Sequence, residues 1–214
     1  MMHLTPLLDL LKEADMQNEL SKFGDHAVAT LQANTTIPEG MGVDGYYHVE
    51  CRDAQGNLKW EEEFPNLVVA VGKQLLLDTL LKGSSYSVTG PFLGLIGNNT
   101  TFSAADTMAS HSWTEFANYT IGGSPVRGTA VFASATSTGT SPSNVTSSTA
   151  TAITYTITGA GGTVYGCFLV LGTGAVSTQG STTGVLYSEG NFSVAKTTTA
   201  GDTVSVTYST TATS

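Results

Sequence analysis

From residue 97 to the C-terminus the chain has almost no charge. Only Arg127 and Lys196 are basic there, and only Asp106, Glu115, Glu189 and Asp202 are acidic. A surface so poor in charge holds few ion pairs, steers no charged ligand and offers little material for acid–base chemistry. Clustered Lys and Arg are missing throughout, and the formal net charge is −9 with a pI near 4.6. That balance argues against nucleic acid, whose phosphates attract basic clusters, and against an anionic membrane surface as partners. Cysteine is confined to Cys51 and Cys167. Both sit in strand-like runs, so two buried free thiols in a reducing compartment are expected; a disulfide would need a short Cα separation. No apolar run approaches the ~20 residues of a membrane span. The start, Met1 to Pro6, lacks a basic segment and Asp9 interrupts the apolar stretch, so no signal peptide is expected.

Metal and cofactor signals are missing too. His3, His26, His48 and His111 are scattered, with no His-x-x-His, Glu-x-x-His or Cys-x-x-Cys spacing. No Gly-x-Ser-x-Gly elbow is present, and Gly94-Leu95-Ile96-Gly97 lacks the Lys-Ser/Thr of a phosphate loop. No cofactor, no metal and no catalytic residue are expected.

What is present is hydroxyl. Of the 118 residues from 97 to 214, 45 are Ser or Thr. Residues 1–96 hold 13 of the 17 acids and 6 of the 8 bases. The chain therefore reads as a charged N-terminal part joined to a neutral β part. We expect a helical arm and linker over 1–44 and a β domain over 45–214, a length that suits one good core plus an extension.

Residues 5–33 read as helix. Thr5 caps it, and Pro6 fits the first helical position, where its missing N–H costs nothing. Leu7, Leu10, Leu11 and Ala14 recur at helical spacing, and Leu20 and Phe23 extend the stripe. Gly24 ends this helix and Asp25 caps a short second one through Leu31. The stripe either packs on the protein's own core or docks on another subunit. Leu7, Leu10, Leu11 and Phe23 are the candidate interaction residues.

Strands are expected at 45–52 and 58–64, joined by the turn Asp53-Ala54-Gln55-Gly56-Asn57. Leu58, Trp60 and Phe64 fall on one face and Lys59, Glu61 and Glu63 on the other. Glu62 breaks the alternation, which signals an edge or a bulge. The best internal helix covers about 71–82, with Leu76, Leu77, Leu80 and Leu81 as its apolar face and Gly83 as its stop. Further strands are expected at 92–96, 129–135, 152–158, 164–171, 184–192 and 203–208. The run 164–171 is apolar throughout, as in a central strand buried on both faces. The region 98–125 is loop-rich, and the tail after Tyr208 is expected to fray. The fold class is mainly β with an N-terminal helix and one internal helix, an antiparallel β-sandwich of jelly-roll-like kind. An uncharged Thr face pairs readily with other strands, so such a chain is safer inside an oligomer than alone.

Two clusters invite a chemical reading. On a strand His111, Trp113 and Glu115 would share a face; a packed Trp with polar neighbours is the commoner outcome. Glu61-Glu62-Glu63 points neighbouring carboxylates to opposite sides, which suits a solvated strand face better than a cation site. Exposed aromatic platforms for carbohydrate are few: Tyr86, Trp113 and Tyr119.

Several stretches resemble a known group. Tyr46-Tyr47-His48-Val49-Glu50-Cys51-Arg52-Asp53, Gly56-Asn57-Leu58-Lys59-Trp60-Glu61-Glu62 and Asn66-Leu67-Val68-Val69 resemble the opening of small virion proteins of tailed bacteriophages. So do Gly94-Leu95-Ile96, Ser112-Trp113-Thr114-Glu115-Phe116, Gly166-Cys167-Phe168-Leu169-Val170 and Gly201-Asp202-Thr203-Val204-Ser205-Val206-Thr207. The resemblance spans about residues 45–208 and lies in arrangement rather than in one motif. Residues 1–44 depart from it. It implies a structural component of the particle and carries no functional residues with it. The leading expectation is a capsid decoration or cement protein in the virion. It would bind the major capsid protein or other virion proteins as a homo-oligomer, with a trimer favoured. A tail, head-fibre or adaptor component, a carbohydrate-binding module and, last, an enzyme are the alternatives.

Overall fold

The computed structural model describes residues 42–81, 89–136, 143–145 and 152–213. The chain divides into two units, Met1–Gly40 and Met41–Ser214, and all described residues belong to the second. The helix expected over 5–33 lies outside them.

The described part is mainly β. Eleven strands are formed: β1 Gly42–Arg52, β2 Leu58–Pro65, β3 Leu67–Val68, β4 Phe92–Ile96, β5 Tyr119–Thr120, β6 Gly128–Thr129, β7 Ser143–Val145, β8 Ile153–Ile157, β9 Gly162–Leu171, β10 Val185–Thr198 and β11 Thr203–Thr213. One helix, α1, spans Ala70–Leu81. The strands form two antiparallel sheets. The first runs β2-β1-β11-β8-β5, with β7 also pairing β11; the second runs β3-β10-β9-β4-β6.

Alternation decides which side chains meet. Val204, Val206 and Tyr208 of β11 turn inward beside Tyr47, Val49 and Cys51 of β1 and Ile153, Tyr155 and Ile157 of β8. They share one core with Leu93 and Leu95 of β4 and Val164, Cys167 and Leu169 of β9. Tyr hydroxyls inside this layer are bonded rather than stranded: Tyr155 donates to the Leu93 carbonyl at 2.7 Å, and Tyr47 Oη lies 2.8 Å from Ser188 Oγ. β9 is central, lying between β10 and β4. Its other face carries Phe168 and Val170, which pack with Leu186, Ile96, Val69, Met108 and Trp113 in a second apolar cluster. The expected central strand is therefore buried on both sides, with the 97–118 loop supplying the outer cover.

Three expectations change. β11 continues to Thr213 and pairs with Gly42–Gly45 of β1, so the tail after Tyr208 is a strand. Its hydrogen bonds come from residues some 165 positions away, for example Thr210 Oγ1 to the Asp44 carbonyl at 3.0 Å, |i−j| = 166. The run 129–135 shrinks to the two-residue β6, where β4 pairs only through Phe92 and Leu93. In α1 the buried residues are Gly72 and Leu75, while Leu77, Leu80 and Leu81 are exposed. Gly72 sets that face: a Cβ there would lie 2.5 Å from the Tyr187 carbonyl oxygen, so the helix backbone rests directly on β10.

Glu62 keeps the alternation of β2 and finds its partners in a bulge of β10, while the bulge in β2 itself turns Leu58, expected on the apolar face, outward to 49 % exposure. Cys51 pairs with Trp60 and Arg52 with Leu58, which leaves Lys59 as the extra residue. β10 bulges between Asn191 and Lys196. Glu62 turns in with Trp60 and Phe64 and joins the two sheets. Its Oε1 accepts the Ser193 amide at 2.6 Å, and its Oε2 lies 2.7 Å from Lys196 Nζ.

Candidate functional site

The richest polar cluster lies on the outer face of the second sheet, where the loops 97–118 and 172–184 cover it. Arg127, just before β6, is buried at 2 % exposure. It donates to Glu115 from Nε at 3.0 Å and from Nη2 at 2.8 Å, a two-pronged pair. Nη2 also donates to the Ser181 carbonyl at 2.7 Å, and the guanidinium carbon stands 5.0 Å from the Phe168 ring centre. Glu115 further accepts the Gly180 amide at 2.6 Å and the Tyr119 hydroxyl at 3.3 Å. Every oxygen and nearly every N–H of the pair is used in tying loops together. A cavity of about 220 Å³ lies beside it, lined by His111, Trp113, Thr114, Gly180 and Ser181 among others.

Next to the pair, Trp113 is wedged between rings. His111 stacks on it at 3.6 Å between centres, and Phe168 lies 4.5 Å away on β9. Its indole N–H donates to Glu189 Oε2 at 2.7 Å. Glu189 is fully buried on β10. Burial pushes its carboxyl from an ordinary 4.5 up to about 8, and neighbouring Asp106 adds to the rise. Burial also holds the His111 imidazole below its ordinary value. Thus His111, Trp113 and Glu115 do come together, but as packing and a loop anchor. Glu115 has its oxygens committed to Arg127, Gly180 and Tyr119, and Trp113 is 3 % exposed.

The other sparse charges are used the same way. Lys59 Nζ lies 2.5 Å from Asp202 Oδ2, which also accepts the Thr199 amide at 2.8 Å. Glu61 meets His48 at 2.7 Å on the solvent side. Of the triplet, Glu61 and Glu63 are solvent-facing on the edge strand β2 and Glu62 is turned in. The edge of the first sheet is therefore charged and ends in Pro65, features that discourage strand addition there. Among the described residues no three His, Cys, Asp or Glu side chains gather as metal ligands would. Cys51 and Cys167 are free and buried; burial raises the Cys51 thiol to about 11 and raises Cys167 more strongly.

Surfaces remain as sites for contact. Outward from the core, β11 presents Thr203, Ser205 and Thr207, with Thr154 and Thr156 of β8 opposite Ser205 and Thr203. On the other side of β11, His48, Glu50 and Arg52 of β1 make the face ionic. A shallow apolar groove of about 150 Å³ lies between Leu76, Pro91, Phe132, Leu169, Leu171 and Tyr187. Leu80 and Leu81 near the end of α1 are 72 % and 77 % exposed.

Leu7, Leu10, Leu11 and Phe23, the candidate interaction residues, lie outside the described residues, as does Tyr86. Trp113 and Tyr119, weighed as exposed platforms for carbohydrate, are buried at 3 % and 0 % and cannot serve as such; their rings are taken up by Phe168 and Tyr155. Sequence reasoning missed Arg127. An isolated Arg is ordinarily solvated, and the Glu115, Ser181 and Phe168 partners that hold this one inside are brought to it only by the fold. No protein-family model, no curated protein and no solved structure matches the chain.

Proposed function

We propose that this chain is a structural protein of a bacteriophage virion, a decoration or cement protein that binds the outer capsid lattice and stabilises it without catalysing a reaction. The observation that carries this reading is the outward face of β8 and β11, where Thr203, Ser205, Thr207, Thr154 and Thr156 make a neutral hydroxyl patch bordered by the ionic His48, Glu50 and Arg52 of β1. Such a face suits adhesion to other chains, because hydroxyls both donate and accept and carry no charge to desolvate. The resemblance of residues 45–208 to small tailed-phage virion proteins supports the same reading. So does the use of Glu115, Arg127, Glu62, Lys196, Lys59 and Asp202 as internal ties, which leaves them unavailable for substrate.

The mechanism is burial multiplied by copy number. Each copy bridges neighbouring coat subunits through a modest interface, and linked contacts reinforce one another across a lattice. A homo-oligomer, with a trimer favoured, presents several such faces at once. The N-terminal stripe Leu7, Leu10, Leu11 and Phe23 serves as the arm that reaches a neighbour. A jelly-roll-like sandwich is supported by the repeated change of sheet along the chain, at β2 to β3, β4 to β5, β5 to β6, β6 to β7, β8 to β9 and β10 to β11.

The test is reconstitution. Purified chain is added to capsids that lack it, and occupancy and shell melting are measured with and without residues 1–34. Full-length chain should bind and raise the melting temperature of the shell, and the shortened chain should not bind. Full occupancy after the deletion ends the arm assignment; no binding by the full chain to capsid or any other virion part ends the reading.

A further inference from the structure

Two polar atoms on groups that touch Trp113 lack a hydrogen-bond partner, Glu189 Oε1 and His111 Nδ1, and so does Asn191 Oδ1 on β10. Glu189 is the most severe case, because it is fully buried and its other oxygen is taken by the Trp113 indole. The neighbouring Asp106 carboxyl adds to the rise of the Glu189 carboxyl, and it is held in the loop by the Ser103 amide at 3.0 Å. Two neighbouring carboxyls resist carrying two negative charges, the more so where one of them, Glu189, is fully buried. A protonated Glu189 removes the conflict: its Oε1–H donates to Asp106, and Oε2 still accepts from Trp113.

We propose that Glu189 is a proton-dependent latch that fastens the 97–118 loop over the second sheet. Protonated, it holds the loop at two points, Trp113 and Asp106. When the proton leaves to solvent, the buried charge faces the Asp106 carboxylate and the loop is driven outward. The geometry concentrates the effect on this loop. Trp113 rests on Phe168 of β9, and Asn191 of β10 donates to the Thr100 carbonyl at 2.8 Å, so the segment sits directly on the strand that carries the carboxyl. The other titratable or charged groups around Glu189 do not supply a balancing charge. His111 is held toward its neutral form by burial. Tyr47, on β1 behind the sheet, is held neutral by burial. Arg127 is committed to Glu115. This inference is independent of the virion role.

The sign follows from the direction of the shift. The closed loop binds a proton that the open loop, with an ordinary carboxyl near 4.5, has lost. The opening constant therefore rises by about tenfold per pH unit from about pH 5 to about pH 8 and is flat above that. The experiment is amide hydrogen exchange on the full chain from pH 5 to 9, corrected for the intrinsic base-catalysed rate. Loop amides of 97–118 are compared with β9 core amides. Support is a rise in loop opening that levels near pH 8, unchanged β9 protection, and a flat profile in Glu189→Gln, whose amide keeps both bonds without titrating. Asp106→Asn is the second variant and leaves the Trp113 bond in place; with it, the plateau should move to lower pH. The proposal is overturned if loop opening in the native chain does not depend on pH, if the slope survives in Glu189→Gln, or if β9 opens in parallel. It is also overturned if the slope appears only after chelator is added, which would mean a divalent cation bridges the two carboxylates.

Discussion

Removing Arg127 is the sharpest perturbation of this fold. Arg127→Met keeps the apolar stem over Phe168 but deletes the guanidinium, whose exposure is 1 %. Glu115 then keeps the Gly180 amide and the Tyr119 hydroxyl but loses both charged donors. The Ser181 carbonyl loses its 2.7 Å donor as well. Breaking a buried ion pair on one side costs about 3–5 kcal/mol, most of it the penalty of a stranded charge. For a domain of this size that corresponds to a melting temperature lower by about 6–20 °C. Urea unfolding followed by tryptophan fluorescence should show the midpoint fall with the slope unchanged. The double variant Arg127→Met, Glu115→Gln removes the stranded charge and should recover part of the loss. A single-variant cost under about 0.5 kcal/mol, typical of a surface position, would refute the view that this pair pins the loops.

Three further outcomes follow from the same structure. Burial alone would raise the Asp202 carboxyl, but Lys59 and the Thr199 amide outweigh it and hold it below its ordinary value. That stabilisation is present above the ordinary carboxylate range and disappears as pH falls through the lowered value, so Asp202→Asn should flatten the acid limb of a stability-against-pH curve; an unchanged limb would contradict the assignment. Gly166→Ala should be strongly destabilising, because a Cβ there runs into the Gly190 carbonyl on β10; overpacking of this kind costs about 1–3 kcal/mol, read by the same urea titration. Cys51 and Cys167, buried with raised thiols, should resist an alkylating reagent in the native state and react fully in denaturant; fast native labelling at neutral pH would show that the core opens.

Much of the fold was legible because alternation is a local signal. Ile153, Tyr155 and Ile157, and Val204, Val206 and Tyr208, announce which face is buried, and the unbroken apolar run 164–171 announces a strand covered on both sides. Non-local facts were not legible. Nothing near Thr210 says that its partner is Gly45, so the last strand looked like a frayed tail. The leucines of α1 misled for a related reason: the apolar stripe Leu76, Leu77, Leu80, Leu81 is strong, yet the bare backbone of Gly72 allows a closer seat on β10 and turns Leu77, Leu80 and Leu81 outward. The place of Glu62 on the apolar face was legible, but its partners Lys196 and Ser193 lie over 130 positions away. At the polar cluster, His111, Trp113 and Glu115 were visible as a trio by spacing. Arg127 and Glu189 were not, because their meaning depends on loops that only the folded chain brings together.

The central claim is that this chain works by adhering to other protein chains in a particle. Cryo-electron microscopy of the purified virion, with the chain counted and located, tests it most directly. The account predicts hundreds of copies on the outer head lattice, each bridging coat subunits. A few to a few dozen copies on the tail or a fibre would move the role elsewhere in the particle, and a particle without the chain would contradict the account.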